Sequence, residues 1–130
     1  MGRNFTHFTD HIPENIIREV EKYIASKIAL FKPTIFLLEP LQAVDFHIII
    51  PNTTPPDAYI NGQLKSFERG KMVILNPGET MVCTASPPTG PYYSLLIKPD
   101  LINRVAREMG CSDGARFLRL INPFSLEIIQ

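Results

Sequence analysis

The stretch Ala58-Tyr-Ile-Asn-Gly-Gln-Leu-Lys-Ser-Phe-Glu-Arg-Gly-Lys-Met-Val-Ile-Leu-Asn-Pro-Gly-Glu-Thr80 decides how this chain is read. Asn61-Gly62 is a strong hairpin signal, because both central positions of a type I′ turn need positive φ. Gly70 opens the apolar run Met72-Val-Ile-Leu75, which stops at Asn76-Pro77-Gly78, and Thr80-Met-Val-Cys-Thr84 begins a new strand at once. Short strands at such close spacing, punctuated by Gly and Pro, predict a small barrel or jelly roll.

Working outward, strands are expected at 34–38, 43–50, 58–60, 64–68, 71–75, 80–85 and 92–98. The proline-rich pieces 51–56 and 86–91 are expected loops and hold six of the 12 prolines. Proline cannot donate to a sheet ladder, so it belongs at edges and corners. Before the strands, Pro13 and Glu14 suit a helix start, and Ile17, Val20, Ile24 and Ile28 recur at helical spacing. This predicts an amphipathic helix ending near Phe31, stopped by Pro33 and packed on the barrel. After the strands, Asp100 is the expected N-cap of a helix whose stripe is Leu101, Ile102, Val105 and Met109, ended by Gly110. A short strand or extended segment is expected at 115–121, and another helix start at Asn122.

The order Asn61-Gly62, Phe67, Gly70, apolar strand, Pro77-Gly78-Glu79 resembles the small β-barrel (cupin) sensor domain at the N-terminus of AraC-type transcription regulators. The resemblance covers roughly Thr34 to Gln130. It implies one mainly β domain: an N-terminal helical segment over 1–33, a cupin-like barrel over 34–98, and a C-terminal helical segment over 99–130. It further implies a bacterial, cytoplasmic protein that takes up a small molecule in the barrel and dimerises. The dimer contact would use Leu101, Val105 and Met109, with Leu126 and Ile129 from the segment after Pro123. DNA would be reached only through helix-turn-helix units that this chain lacks. A helix start cut off after about one turn cannot hold itself together, so the chain reads as an excised sensor domain.

Bulk composition sets limits of its own. One domain suits 130 residues, and a hydrophobic content of 45% is ample for a core. Thirteen basic and thirteen acidic residues cancel, which argues against direct nucleic-acid binding. Arg104, Arg107, Arg116 and Arg119 are offset by Glu108, Asp113 and Glu127 and read as a solvated face. The apolar runs, such as Phe46-His-Ile-Ile-Ile50, are too short to span a bilayer. Two cysteines, Cys83 and Cys111, make neither a disulfide framework nor a zinc site, and point to a reducing cytosol. A myristoylation-like start at Gly2 and sequons at Asn4 and Asn52 read as chance matches.

No catalytic constellation emerges. Metal-dependent cupin enzymes, the first alternative, need about three imidazole and carboxylate ligands converging inside the barrel. This chain has three histidines. His7 and His11 precede the expected barrel, and Met81 stands where a last ligand would follow the Pro-Gly corner. No metal and no cofactor are therefore expected. Cys83 reads as a small strand filler, and Ser94 and Ser125 lack a nucleophile elbow. A binding role remains. Period-2 alternation favours Met81, Cys83 and Ala85, and Tyr93, Leu95 and Ile97, as the inward sets. His47, Tyr59, Met81, Cys83 and Tyr93 are the candidate ligand-binding residues, with the three polar-tipped ones orienting an uncharged, partly apolar ligand. Each is open to a second interpretation as an ordinary core or rim residue, since a one-residue slip exchanges the faces. A barrel that is simply filled, serving as a ligand-free dimerisation module, is the other alternative.

Overall fold

The computed structural model describes residues 18, 20–33, 40–52, 56–67, 70–85, 92–110 and 121–123. Its elements run β1 (Glu21–Ile24), β2 (Ile28–Lys32), β3 (Leu41–Gln42), β4 (Phe46–Ile50), β5 (Ala58–Ile60), β6 (Gln63–Lys65), β7 (Lys71–Leu75), β8 (Thr80–Cys83), β9 (Tyr93–Ile97), α1 (Pro99–Glu108) and β10 (Ile121–Pro123). The strands pair antiparallel in two sheets, a six-stranded one ordered β1-β2-β9-β4-β7-β10 and a four-stranded one ordered β3-β8-β5-β6. The protein is mainly β.

The two sheets meet face to face. Ile49, Val73 and Leu75 from the larger sheet form one core with Ala58, Ile60 and Met81 from the smaller, the arrangement that lets two half-apolar sheets cover each other. Register sets which side chains meet there. Phe31 pairs with Ser94, Ser94 with Ile49, and Ile49 with Val73; the neighbouring row is Ala29, Leu96, His47 and Leu75. All eight are buried. A second cluster, Ala29, Phe31 and Leu96 with Val20 and Ile24 against it, extends the core toward the β1 edge.

The deciding stretch folds as its turn residues require. Asn61 and Gly62 take φ of 52° and 84°, so the β5–β6 hairpin closes through a two-residue turn of type I′ sign. Pro77-Gly78 forms a tight turn in which the Glu79 N–H donates to the Asn76 carbonyl at 3.1 Å, with Gly78 at φ 94°. A positive φ at the third position is what a type II turn demands. Strands 58–60 and 71–75 match their expected bounds; 43–50, 80–85 and 92–98 shorten to Phe46–Ile50, Thr80–Cys83 and Tyr93–Ile97, and the strand expected at 64–68 starts one residue earlier, as Gln63–Lys65.

The N-terminal helix needs correction. Arg18 is helical, but Glu21–Ile24 and Ile28–Lys32 are strands, joined by a turn that the Ala25 N–H closes onto the Ile28 carbonyl at 2.9 Å. Ile24 lies opposite Ala29 and points with it into the core, while Ile28 faces the other way. The helical spacing of Ile24 and Ile28 was thus a coincidence of two strands meeting at a turn. β-Branched and aromatic residues suit that choice, and β9 supplies the ladder along β2. Burying Phe31 completely contributes about 2 kcal/mol that an exposed ring would not. The segment 1–33 is therefore not helical throughout; residues 21–32 form a hairpin of the larger sheet.

At the other end, α1 has Lys98 as its N-cap with Pro99 behind it, two residues before the expected cap Asp100. Asp100 sits in the first turn, and its carboxylate pairs with Lys27 instead of capping the helix. The Lys27 hydrogen bond holds that carboxyl below its ordinary range. Gly110, at φ 89°, ends the helix as expected, with its N–H on the Arg107 carbonyl at 3.0 Å. Asn122 is not a helix start: Ile121–Pro123 pairs with Lys71–Val73. The expected strand at 34–38, the loop at 86–91, most of the segment expected at 115–121, and Leu126 and Ile129 lie outside the described residues. No helix among the described residues is long and apolar enough to cross a membrane.

Candidate ligand site

Among the described residues, the buried polar or charged side chains are Asp45, His47, Asn76 and Ser94. His47 on β4 is 3% exposed and its Nε2 hydrogen-bonds the Ser94 hydroxyl of the adjacent β9. The pair arises from the sheet: His47 lies opposite Leu96, and Ser94, two residues earlier, shares that face one row along. Burial lowers the His47 pKa from 6.5 to about 4, so the imidazole is neutral. Burial raises the half-buried Cys83 thiol to about 11. Burial, with a smaller contribution from Cys83, also pushes the Tyr92 phenol up. These three groups are therefore uncharged at neutral pH.

The sequence-derived set is only partly brought together. Met81 is in the shared core and Cys83 packs against it, but Ala85, the third member of the expected inward set, is exposed beyond the end of the strand. Tyr59 is 45% exposed, because Ala58 and Ile60 on either side of it point inward. Tyr93 is 40% exposed, its ring under the Lys32 ammonium at 6.0 Å. On β9 the inward residues are Ser94 and Leu96, the reverse of the expected face. Neither tyrosine lines the interior. Tyr92, one residue earlier, is the buried one, and its N–H bonds to the Pro33 carbonyl at 3.0 Å.

An opening lies beside His47, walled by Leu96 and the segment Leu41–Asp45. The space in it that a water centre can occupy is about 10 Å³, room for a single water; pockets for drug-sized ligands run from roughly 300 Å³ upward. Asp45 stands on its rim, 7% exposed, and pairs with Lys98 at 3.3 Å. Sequence reasoning missed this pair. Alternation does set Asp45 and His47 two residues apart and so on one side of the chain, but nothing local links them to Lys98.

A third polar group sits at the corner of the deciding stretch. The Glu79 carboxylate accepts the Asn76 N–H at 2.6 Å, Asn76 Nδ2 at 3.0 Å and Asn61 Nδ2 at 3.1 Å. Asn61 Oδ1 in turn accepts the Thr80 N–H at 3.0 Å. The corner is closed on itself and braces two turns. Among the described residues, every buried side-chain nitrogen and oxygen has a hydrogen-bond partner, and no three His, Cys, Asp or Glu side chains converge as metal ligands.

Comparison with protein-family models, with curated proteins and with solved structures finds no match to this chain.

Proposed function

We propose that this chain is the effector-sensing and dimerisation domain of an AraC-type transcription regulator, its two sheets forming a cupin-like jelly roll. The observation that carries this reading is the helix α1. It follows β9 of the larger sheet directly, and it leaves Val105 and Met109 exposed one turn apart, with Leu101 half-buried on the same stripe. A helix placed there suits a homodimer contact. Regulation would follow if an effector bound one arrangement of the sheets better than another and so biased the attached helix-turn-helix units in the cytoplasm. The neutral environment of His47, Met81 and Cys83 favours an uncharged, partly apolar effector.

A second reading, a ligand-free dimerisation module, is favoured by the one-water size of the opening and the satisfied interior. Two measurements separate the readings. Sedimentation equilibrium is expected to show a concentration-dependent dimer, and a monomer at all concentrations would overturn both. A thermal-shift screen of uncharged metabolites is expected to find a stabiliser, since a ligand at a hundred times its Kd adds about 2.7 kcal/mol. A screen without any stabiliser at millimolar concentration selects the dimerisation module. A stoichiometric transition metal in the purified protein would instead select a cupin enzyme.

A further inference from the structure

The opening beside His47 and the start of α1 are joined by one ion pair. Asp45 forms part of the opening's wall and is almost fully buried; Lys98 is the N-cap residue of α1 and three-quarters buried at its side chain. The Lys98 carbonyl accepts the N–H of Leu101 at 3.1 Å and of Ile102 at 3.4 Å, the first bonds of the helix. Its own N–H donates to the Lys27 carbonyl at 2.9 Å. The other half of the rim is anchored separately: the Ala43 N–H bonds to the Glu79 carbonyl at 2.8 Å, and the Ala43 carbonyl accepts from Gly78 at 2.6 Å. The segment between Ala43 and Asp45 is thus fixed at one end to the Pro-Gly turn and at the other to the helix start.

We propose that the Asp45–Lys98 pair is the mechanical link between the opening and α1: whatever engages the Asp45 carboxylate from the opening loosens the first turn of the helix. This rests on the sensor reading above for its biological purpose, but not for its physics. A charge held out of water is costly to leave unpaired, so the Asp45 carboxylate would leave Lys98 only in exchange for another donor, which a ligand in the opening would supply. The class of ligand that would operate it is uncharged and carries a hydrogen-bond donor small enough for the opening, an amide or hydroxyl group. The nearby Lys27–Asp100 pair is different. Both of its side chains are more than half exposed, and such pairs contribute little.

The test is hydrogen exchange followed by mass spectrometry on the full chain, comparing amides of 99–109 with those of 71–75. Lys98→Met is expected to speed exchange in the helix by about tenfold while leaving 71–75 within twofold, the size of a lost bond to a charged partner. Asp45→Asn is expected to do the same, and the double variant no more than either single one. Lys98→Arg, which keeps the charge, is expected to retain wild-type protection, and Lys27→Met to change it by less than twofold. The proposal is overturned by unchanged helix exchange in Lys98→Met, by additive single effects, by equal loosening in Lys27→Met, or by loss of protection in Lys98→Arg. If Asp45→Asn does not fold, the three lysine variants still decide it. A monomeric protein would defeat the sensor reading and leave these exchange results to stand or fall alone.

Discussion

Asn61 and Glu79, 18 residues apart, hold two turns of the chain together: Asn61 Nδ2 donates to Glu79 Oε2 at 3.1 Å while the Asn61 N–H meets the Thr80 carbonyl at 3.0 Å. The hairpin tip and the Pro-Gly turn therefore form one unit. Two residues that sequence reading treats as local turn formers act on each other across the fold.

Replacing Glu79 with Gln tests that unit. An amide keeps the size but presents a donor to either the Asn76 N–H or Asn61 Nδ2, both of which are donors. The expected loss is about 2 kcal/mol, read as a lower urea midpoint at constant m. A midpoint unchanged from wild type would mean the corner braces nothing.

Gly78→Ala isolates a backbone effect. Gly78 sits at φ 94°, and nothing lies within 4 Å of where an added Cβ would be, so sterics with neighbours are not at issue. The left-handed conformation itself is expected to cost about 1 kcal/mol by chemical denaturation. A neutral result would show that the turn relaxes to another type.

Phe31→Ala addresses the N-terminal hairpin. The ring is fully buried against Ala29 and Leu96, and its removal is expected to cost about 3–5 kcal/mol. A peripheral helix lying on the surface would lose far less, so a small loss would reinstate that arrangement.

His47 makes stability depend on pH. Its pKa falls from 6.5 unfolded to about 4 folded, so between those values the unfolded chain binds more protons. The stability held above pH 6.5 is therefore lost as the pH drops toward 4, with nothing further lost from this group below that. Integrated over the window, the loss is about 3 kcal/mol. His47→Leu is expected to flatten the profile between pH 6.5 and 4, and a slope equal to wild type would assign the acid sensitivity elsewhere.

Val105→Glu and Met109→Glu test the helix as a dimer contact. Met109 is 76% exposed in the single chain, so either change is expected to alter monomer stability by less than about 0.5 kcal/mol. Both are expected to weaken self-association by at least tenfold in sedimentation equilibrium. Dimers of undiminished affinity would move the contact to another surface.

Local chemistry made much of this fold legible. Asn61-Gly62, Pro77-Gly78 and Gly110 each need a backbone conformation that few residues accept, so their positions mark turns and a helix end wherever the rest of the chain goes. Strands 58–60 and 71–75 follow because they are bounded by those turns. Met81 and His47 are interior residues on β8 and β4, but the apolar run Phe46-His-Ile-Ile-Ile50 carries no alternation that would set its inward face from sequence.

Where pattern was ambiguous, only the tertiary structure decided. Residues 21–32 carry a spacing compatible with a helix, and it is the ladder to β9 that makes them strands. On β9 itself both faces are largely apolar, Tyr93, Leu95 and Ile97 on one and Ser94 and Leu96 on the other, so the more apolar first face that alternation favoured was not the one buried. The choice fell to packing: Ser94 satisfies His47 inside, and Tyr93 finds Lys32 outside. The Asp45–Lys98 pair was beyond any sequence pattern, because the free energy of pairing a buried carboxylate with a partly buried ammonium depends on which strands become neighbours, a property of the assembled sheets and not of either segment alone.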